Sequence, residues 1–493
     1  MTAFSLLTKL LGVLLRLYLS SRIGSEGMGL YQLILSVYGL FASLATAGLT
    51  VAVSRLSAEK AGRSLSDAVR TLFQCVRLGL LVSLSAALLL WGLSPVLANA
   101  VLQDPRCASP LRILAFSLPC MAVAACFKGF FLSRGQVLRT ASASLFEQCV
   151  KFAVMAWFLG VWMAGTNDVG TLCTGVVIGV TLGECASFLY LCAAYRLPKG
   201  RLPRSGFAPT ESAKSVFSQA RRVVFPIGGS VAVTSVLHTA ESLLIPFAFT
   251  RYGGDRAGAL SEFGVIRGMV IPLLFFPFSF LSSYVSVMIP EISRLSAPHL
   301  REERASRIRR TVCLTFLFSI PVGLLFLFLA EELGETFYPG QNTARALRLL
   351  APVCPLMYVQ TICDGLLKAT DGQKYSLRYS VYNSVLRISV ILFVLPRTGS
   401  TGYLLLLVAS NTLECLLCLF RLQKEVRFRL PFLRPILLPV LFSVFAGFTA
   451  RGVLLLLSLP SPLLASSVGT VVYLVLCAPL LLCSRGEAAP RPS

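Results

Sequence analysis

Two short segments decide the fold: LRILAFSLP at Leu111–Pro119 and LRLLAPVCP at Leu347–Pro355. Both segments begin with leucine and arginine, continue with mainly apolar residues and end with proline. They lie 236 residues apart. At the same offset, Lys151 in the first half of the chain matches Arg387 in the second. Because charges and prolines inside apolar segments rarely match in order by chance, these pairs indicate an internal duplication.

Other matched positions extend the duplication. The motif SRLSA occurs at Ser54–Ala58 and again at Ser293–Ala297, 239 residues later. Glu184 and Glu414 each precede a cysteine, at an offset of 230 residues. Each predicted repeat holds six apolar spans. Because six is even, both repeats have the same orientation and are related by an axis along the membrane normal, as in parallel-repeat transporters.

The composition sets the class of protein. The chain has 493 residues, of which 55% are hydrophobic and only 14% charged, with a mean hydropathy of +0.76. These values exclude a water-soluble enzyme. Apolar runs of about 20 residues, the length that crosses a bilayer as a helix, recur from end to end. We therefore predict an all-α polytopic membrane protein with about fourteen transmembrane helices.

The predicted division follows the repeats. An N-terminal six-helix lobe covers residues 1–200 and a cytoplasmic linker covers 201–222. A C-terminal six-helix lobe covers 223–425, and 426–493 hold two extra transmembrane helices and a short tail. The first apolar run has no small-residue cleavage site after it, so we expect a membrane helix there rather than a signal peptide.

The basic residues predict the orientation. The chain has 45 Lys and Arg against 22 Asp and Glu, a net charge of +23. Of the basic residues, 30 fall in alternate loops and the tail, and 9 fall in the loops between them. Because basic loops stay on the cytoplasmic side, both termini are predicted to be cytoplasmic. This distribution explains the charge through topology and gives no support for nucleic-acid binding.

Metal and nucleotide chemistry have little support in the sequence. The chain has only two histidines, and most of its 15 cysteines lie inside apolar runs, so we predict no metal site and no cofactor. A GxxxxGK[ST] phosphate-binding loop does not occur, which excludes nucleotide hydrolysis of that type. Transport would draw on ions, the membrane potential or the substrate gradient.

Basic residues inside the spans are the first candidates for function. A charge at the bilayer centre costs about 2.5–3.5 kcal/mol, so such residues face a cavity or a partner. The predicted basic residues within spans are Lys9, Arg16, Arg77, Lys151, Arg267 and Arg387. Lys151 and Arg387 each lie about ten residues into a span, near the midplane at the helical rise of about 1.5 Å per residue. They predict a cationic cavity between the lobes that receives an anionic ligand.

The alternatives for these residues are structural. Glu147 precedes Lys151 by one helical turn, so the two can pair locally. Arg387 has Asn383 at the corresponding position, which weakens that explanation for the second repeat. Arg267 lies near a span end and can extend its guanidinium to the membrane surface.

Acidic residues inside the spans form a second set of candidates: Glu147, Glu184, Glu241, Asp364 and Glu414. Glu184 and Glu414 match in the duplication and lie deep, where a carboxylate must be paired, protonated or bound to an ion. Pairing with a neighbouring helix and binding of a coupling ion both remain open for them. Glu241 follows His238 on a span interrupted by prolines and glycines, and a gating or ion role and a structural role both remain open for it.

Three segments carry a family resemblance. They read TKLLGVLLRLYLSSRIGSEGMGLYQLILSVYGLFASLATAGLTVAVSRL at Thr8–Leu56, FFPFSFLSSYVSVMIPEISR at Phe275–Arg294 and LAPVCPLMYVQTICDGLLKATDGQ at Leu350–Gln373. Together they resemble the stage V sporulation protein B family, within the multidrug/oligosaccharidyl-lipid/polysaccharide exporter superfamily. The resemblance implies two six-helix lobes around a central cavity and a protein of the bacterial cell membrane.

The same resemblance implies a function that is not enzymatic. The expected activity is that of a secondary flippase, which moves a polyprenyl-pyrophosphate-linked saccharide, such as lipid II or a related cell-envelope precursor, to the outer leaflet by alternating access. Basic residues on helices 1, 2 and 8 of the related lipid II flippase line its cavity, which implies Lys9, Arg16, Arg55 and Arg267 here. The expected partners are this lipid-linked anionic saccharide, membrane lipids and a coupling cation, H⁺ or Na⁺.

Two alternatives stay open at this point. One is a cation-coupled multidrug exporter of the same fold, although a cavity richer in basic than acidic groups argues against cationic drugs. The other is a membrane polyprenyl-phosphate glycosyltransferase, which would need paired carboxylates in an outer loop. The outer loops hold only scattered acids such as Glu331, Glu332 and Glu335.

Overall fold

The computed structural model describes residues 2–61, 65–163, 165–166, 168–196, 212–295, 300–370, 372–428, 431, 433–457 and 461–483. Within these ranges every secondary-structure element is a helix. Part of the second SRLSA motif, positions 296 and 297, lies outside the described residues, as does the predicted linker up to position 211.

The chain divides into two compact units, Met1–Leu244 and Ile245–Ser493. Unit 1 contains the helices α1 Thr2–Thr46, α2 Leu49–Ala61, α3 Leu65–Val96, α4 Ala108–Ala115, α5 Ser117–Ser133, α6 Val137–Trp157 and α7 Val169–Arg196. The division falls inside α8, Ala213–Gly253, which the sequence assigns mostly to the second lobe. The lobe boundaries inferred from the sequence stay predictions.

Unit 2 continues with shorter helices at its start and long ones towards its end. They are α9 Arg256–Phe263, α10 Ile271–Phe275, α11 Phe278–Arg294, α12 Arg301–Phe328, α13 Ala330–Phe337, α14 Thr343–Leu350, α15 Cys354–Ala369, α16 Gln373–Phe393, α17 Leu395–Val426, α18 Leu438–Leu457 and α19 Pro462–Cys483. A π-helical segment, Gly264–Val270, joins α9 to α10. The two predicted C-terminal helices are α18 and α19.

The described residues contain ten helices long and apolar enough to cross a membrane, or up to eleven if the bent pair α4 and α5 is one span. The two helices of this pair meet at 41°. The protein is therefore an all-helical multi-pass membrane protein. Every apolar run predicted from the sequence lies on one helix or on consecutive helices.

Glycines interrupt the N-terminal helix at two places. Gly24 has φ +65° and ψ −173° inside α1, which breaks the helical geometry there. Gly48, with φ +79°, separates α1 from α2. A side chain is strained at positive φ, so glycine is the residue that suits both positions. The first break divides α1 into two segments that each have the length of a membrane span or more.

Gly129 and Gly365, which are also 236 residues apart, each lie close to a neighbouring helix of their own unit. In unit 1, a Cβ on Gly129 of α5 would lie 2.5 Å from the carbonyl oxygen of Thr50 on α2. In unit 2, a Cβ on Gly365 of α15 would lie 3.2 Å from Cδ1 of Ile289 on α11. Thr50 and Ile289 are themselves separated by the 239-residue offset of the SRLSA motif. This agreement supports the predicted duplication.

The C-terminal helices pack on α12 of unit 2. A Cβ on Gly447 of α18 would lie 2.1 Å from Cδ2 of Phe328, so the absence of a side chain lets α18 approach α12. The hydroxyl of Tyr473 on α19 donates to the carbonyl oxygen of Pro321, at 2.8 Å. Pro321 lies inside α12. Both contacts hold the extra helices on the core of unit 2.

Candidate functional site

In unit 1, Lys151 bridges two carboxylates. Its Nζ donates to Oε1 of Glu147, one turn earlier on α6, at 2.7 Å and to Oε1 of Glu184 on α7 at 2.8 Å. The three side chains are only 11–13% exposed. Charged hydrogen bonds of this length compensate for part of the cost of burying the ions. We call Glu147, Lys151 and Glu184 the unit 1 triad.

A glycine on α7 makes room for the triad. A Cβ on Gly183 would lie 2.2 Å from Cγ of Lys151 and 2.9 Å from its Cε. One and two turns earlier, Gly179 and Gly175 face side chains of Met155 and Met163 in the same way. These glycines let α6 and α7 approach closely, as small residues do between membrane helices. The Lys151 side chain can therefore lie flat against α7 and reach Glu184.

A second lysine contacts the triad from α5. The Nζ of Lys128 lies 3.6 Å from Oε2 of Glu147. Two carboxylates thus face two ammonium groups, so their formal charges balance. This arrangement matches the local-pairing alternative for Lys151, and it places Glu184 in a pair with a neighbouring helix. Contact of Lys151 with a substrate, and ion coupling by Glu147 and Glu184, stay predictions.

The matched positions in unit 2 form a different cluster between α16 and α17. The Nε of Arg387 donates to the hydroxyl of Ser410 at 2.8 Å. The amide of Asn383 donates to Oε2 of Glu414 at 2.6 Å. Leu413 occupies the position that matches Gly183. We call Asn383, Arg387, Ser410 and Glu414 the unit 2 cluster.

Asp364 on α15 matches Lys128 at the 236-residue offset, so this position changes sign between the repeats. One carboxylate oxygen lies 2.6 Å from Nζ of Lys368, and the other accepts a hydrogen bond from the Ser376 hydroxyl. Asp364 therefore pairs with groups near the end of its own helix and the start of α16.

Arg267 lies on the π-helical segment Gly264–Val270 of unit 2. Its Nε donates to the hydroxyl of Tyr403 on α17 at 2.8 Å, and the Tyr403 side chain is fully buried. The ring of Tyr403 also packs edge-on against Phe249, with centroids 5.9 Å apart. A buried ring that contacts two elements fixes the direction of the guanidinium. π-Helical turns are found at functional sites more often than elsewhere.

The basic candidates on α1 and α2 have different surroundings. Lys9 is half-buried, whereas Arg16 is exposed on the segment of α1 that precedes the Gly24 break. Arg55 on α2 is exposed and pairs with Glu59, one turn later, at 2.9 Å. Exposed pairs of this kind contribute little to stability.

Glu241 on α8 is fully buried. Its Oε2 lies 3.8 Å from Nδ1 of His238, whose side chain is mostly exposed. The gating or ion role predicted for Glu241 stays a prediction. Among the described residues, no group of three or more His, Cys, Asp or Glu side chains is arranged to hold a metal ion.

Comparisons with known proteins agree with this architecture. The family model described as "Polysaccharide biosynthesis protein" matches residues 1–296. The chain belongs to this family. It is 26% identical to stage V sporulation protein B of Bacillus subtilis (strain 168) over 426 residues, which cover 84% of this chain and 80% of that protein.

Two further relatives extend the comparison. The lipid II flippase MurJ of Bacillus subtilis (strain 168) is 22% identical over 414 residues, 79% of this chain and 75% of that protein. A solved structure titled "Lipid II flippase MurJ, inward closed conformation" aligns with a TM-score of 0.73 at 14% identity, covering 99% of this chain and 100% of that chain. This family member therefore has the fold of that structure.

Some residues of these clusters were not found by sequence reasoning. Lys128 is one of the 30 basic residues that the sequence assigns to the cytoplasmic loops and the tail, and Gly183 and Tyr403 are not among the predicted site residues. The spacing Gly175, Gly179, Gly183 was a usable indication, because small residues four apart mark a helix face that approaches another helix. The sequence held no comparable indication for Tyr403.

Proposed function

We propose that this protein is a secondary flippase that moves a polyprenyl-pyrophosphate-linked saccharide from the cytoplasmic to the outer leaflet by alternating access. Lipid II or a related cell-envelope precursor is the substrate class. The similarity to stage V sporulation protein B and to the lipid II flippase over most of each chain supports this proposal. A role in sporulation belongs to the same hypothesis.

We further propose fourteen membrane crossings with both termini in the cytoplasm of a bacterial cell. The apolar stretch Leu6–Lys60 has 55 residues, more than twice the length that one crossing needs, and Gly24 breaks it into two. The bent pair α4 and α5 supplies one crossing. Two more come from α16, which carries Arg387, and from α19, whose described apolar part is short.

Arg16 is the observation that carries the proposed function. It lies on an apolar span, eight residues before the Gly24 break, and its side chain is exposed. In hydrocarbon a guanidinium there would cost about 2.5–3.5 kcal/mol, so an aqueous path or an anionic ligand beside it is favoured. A pyrophosphate needs such a cationic partner when it leaves bulk water.

The other basic candidates complete the proposed binding set. We propose that Lys9 and Arg55 bind the headgroup together with Arg16 in unit 1, and that Arg267 binds it in unit 2. Lys151 and Arg387 are proposed to contact it at mid-span. The carboxylates Glu147, Glu184, Glu241 and Glu414 are proposed as groups for coupling to H⁺ or Na⁺, or for gating.

A flipping assay with matched variants tests this proposal. Purified protein is reconstituted in liposomes with lipid II carrying a fluorescent headgroup, and a membrane-impermeant quencher reports the fraction in the outer leaflet over time. We expect faster exchange than in protein-free liposomes and a several-fold lower rate for Arg16→Gln. The control is Arg112→Gln, which removes an equal charge whose guanidinium already contacts Ser94 and the Trp91 ring. Equal flipping rates for Arg16→Gln and Arg112→Gln would contradict a specific role of Arg16 in binding the headgroup.

The alternative of a cation-coupled drug exporter is less well supported by the site. A cationic drug needs available carboxylates, whereas Glu147 already contacts two ammonium groups and Glu184 contacts one. The same liposomes loaded with a fluorescent lipophilic cation distinguish the two functions, because a drug exporter would move the cation and leave lipid II where it was.

A further inference from the structure

Two cysteines of unit 1 meet across a helix contact. The Sγ of Cys185 on α7 lies 3.5 Å from the Sγ of Cys120 on α5. Both thiols are free. A disulfide bond is about 2.05 Å long, so the two sulfur atoms must move closer together before a bond can form.

Both cysteines border exposed apolar surface. Cys185 shares a face of α7 with Leu182 and Leu189, which are 44% and 62% exposed. Cys120 follows Phe116, which is 66% exposed, by one turn. Exposed apolar side chains on a membrane-spanning helix face hydrocarbon, since polar groups are kept towards the protein interior. Where this surface faces hydrocarbon, the thiol pair, which is itself half-buried, comes within reach of molecules dissolved in the bilayer.

The pair lies beside the unit 1 triad. Cys185 directly follows Glu184, and Cys120 is on the same helix as Lys128, which contacts Glu147. A bond between Cys120 and Cys185 would join α5 to α7 covalently next to these ion pairs. It would thereby restrict any relative movement of the two helices within unit 1.

We propose that Cys120 and Cys185 form an oxidisable dithiol that reacts with hydroperoxides from the bilayer. One thiol is oxidised by the hydroperoxide to a sulfenic acid, and the hydroperoxide is reduced to an alcohol. The second thiol then attacks the sulfenic sulfur, the S–S bond forms and water leaves. The site takes lipid-soluble hydroperoxides as its reactants, and this inference is independent of the proposed flippase activity.

The test uses the full chain in liposomes treated with cumene hydroperoxide, a lipid-soluble probe. Peptide mapping by mass spectrometry before and after a dithiol reductant reports the cross-link. We expect a reducible peptide pair containing positions 120 and 185 in the wild-type protein. Cys120→Ser and Cys185→Ala should abolish it, and Cys149→Ser, which alters an exposed cysteine on α6, should leave it unchanged.

Three outcomes would overturn the proposal. The first is a wild-type protein that keeps both thiols after cumene hydroperoxide treatment. The second is a cross-link that persists in either variant of the pair. The third is oxidation by water-soluble hydrogen peroxide with no reaction of cumene hydroperoxide, because access would then come from water and not from the bilayer. Peptide mapping reports only the oxidation state of the cysteines, so its result does not depend on whether the protein transports lipid.

Discussion

The unit 1 triad and the unit 2 cluster occupy matched positions of the predicted duplication, yet they hold their charges differently. In unit 1 the ammonium of Lys151 contacts two carboxylates directly. In unit 2 the guanidinium of Arg387 hydrogen-bonds a hydroxyl, and the carboxylate of Glu414 hydrogen-bonds an amide. The sign of the charge changes at one pair of positions, from Lys128 to Asp364.

The two sites also differ in the residue beside the carboxylate on the second helix. Gly183 leaves space for Lys151 to lie along α7, whereas Leu413 stands at the matched position in unit 2. Duplicated polar positions are therefore retained while the residues around them decide which atoms meet. In unit 1 one ammonium joins two carboxylates on two helices, whereas in unit 2 the guanidinium and the carboxylate each also hydrogen-bond a neutral side chain.

The largest expected effect comes from removing the two matched cations separately. Lys151→Met leaves two buried carboxylates without their shared partner, which costs about 3–5 kcal/mol of unfolding free energy. Arg387→Met removes a charged hydrogen bond to Ser410 and the attraction of one nearby carboxylate, Glu414, instead of two, so we expect a smaller loss of about 1.5–3 kcal/mol. Denaturant titration in mixed detergent micelles measures both values. Equal losses of unfolding free energy in the two variants would contradict the proposed difference between the two sites.

A smaller effect should follow from filling the space beside Lys151. Gly183→Ala adds a Cβ where Cγ of Lys151 lies, and such overpacking costs about 1–3 kcal/mol. The control is Gly39→Ala, because a Cβ there would have no atom within 4 Å and alanine favours a helix. The unfolding midpoint should therefore fall for the first variant and hold or rise for the second. A fall in both would mean that the space at Gly183 has no special importance.

Neutralising the matched carboxylates one at a time should lower the free energy of unfolding by a still smaller amount. Glu184→Gln replaces a charged partner of Lys151 by a neutral one and should cost about 1–2 kcal/mol. Glu414→Gln keeps an oxygen that can accept from Asn383 and loses the attraction of Arg387, which keeps its hydrogen bond to Ser410, so we expect about 0.5–1 kcal/mol. A double-mutant cycle with Lys151→Met checks the first value, because the loss at Glu184 should shrink once the lysine is absent. Additive losses would show that the two residues do not interact.

The smallest effect concerns an exposed carboxylate of unit 2. Burial raises the pKa of Glu331, but hydrogen bonds and charges from Arg348 and Arg451 outweigh this, so its pKa lies below the ordinary value of 4.5. A carboxyl with a lowered pKa stabilises the folded state above its unfolded pKa, and this contribution is lost as the pH falls through the folded value. The side chain is 52% exposed, so the loss should stay within about 1 kcal/mol.

Thermal unfolding at a series of pH values below 6, compared between wild type and Glu331→Gln, measures this contribution. The difference between the two proteins should be largest at the upper end of the series and vanish at the acid end. A difference that grows as the pH falls would contradict the lowered pKa.

The sequence predicted the helices well and the contacts between helices only in part. Apolar length located the helical segments, while the pairing by offset of Lys151 with Arg387 and of Glu184 with Glu414 stays a prediction. The contact between Glu147 and Lys151 was predictable because both lie on one helix, one turn apart. The contact of Lys151 with Glu184, 33 residues away, depends on how α6 and α7 pack, and that is decided by side-chain volume at Gly183. The hydrogen bond from Arg267 to Tyr403 spans 136 residues and had no local pattern to reveal it.

One measurement tests the central claim most directly, namely that basic side chains in the membrane serve an anionic lipid headgroup. In liposomes containing the purified protein, the rate of leaflet exchange is compared for a pyrophosphate-linked polyprenyl saccharide and for the same saccharide on an uncharged linkage. We expect the protein to accelerate exchange of the pyrophosphate lipid and to leave the uncharged lipid at the rate of protein-free liposomes. Equal acceleration of both lipids, or acceleration of neither by folded protein, would contradict the account.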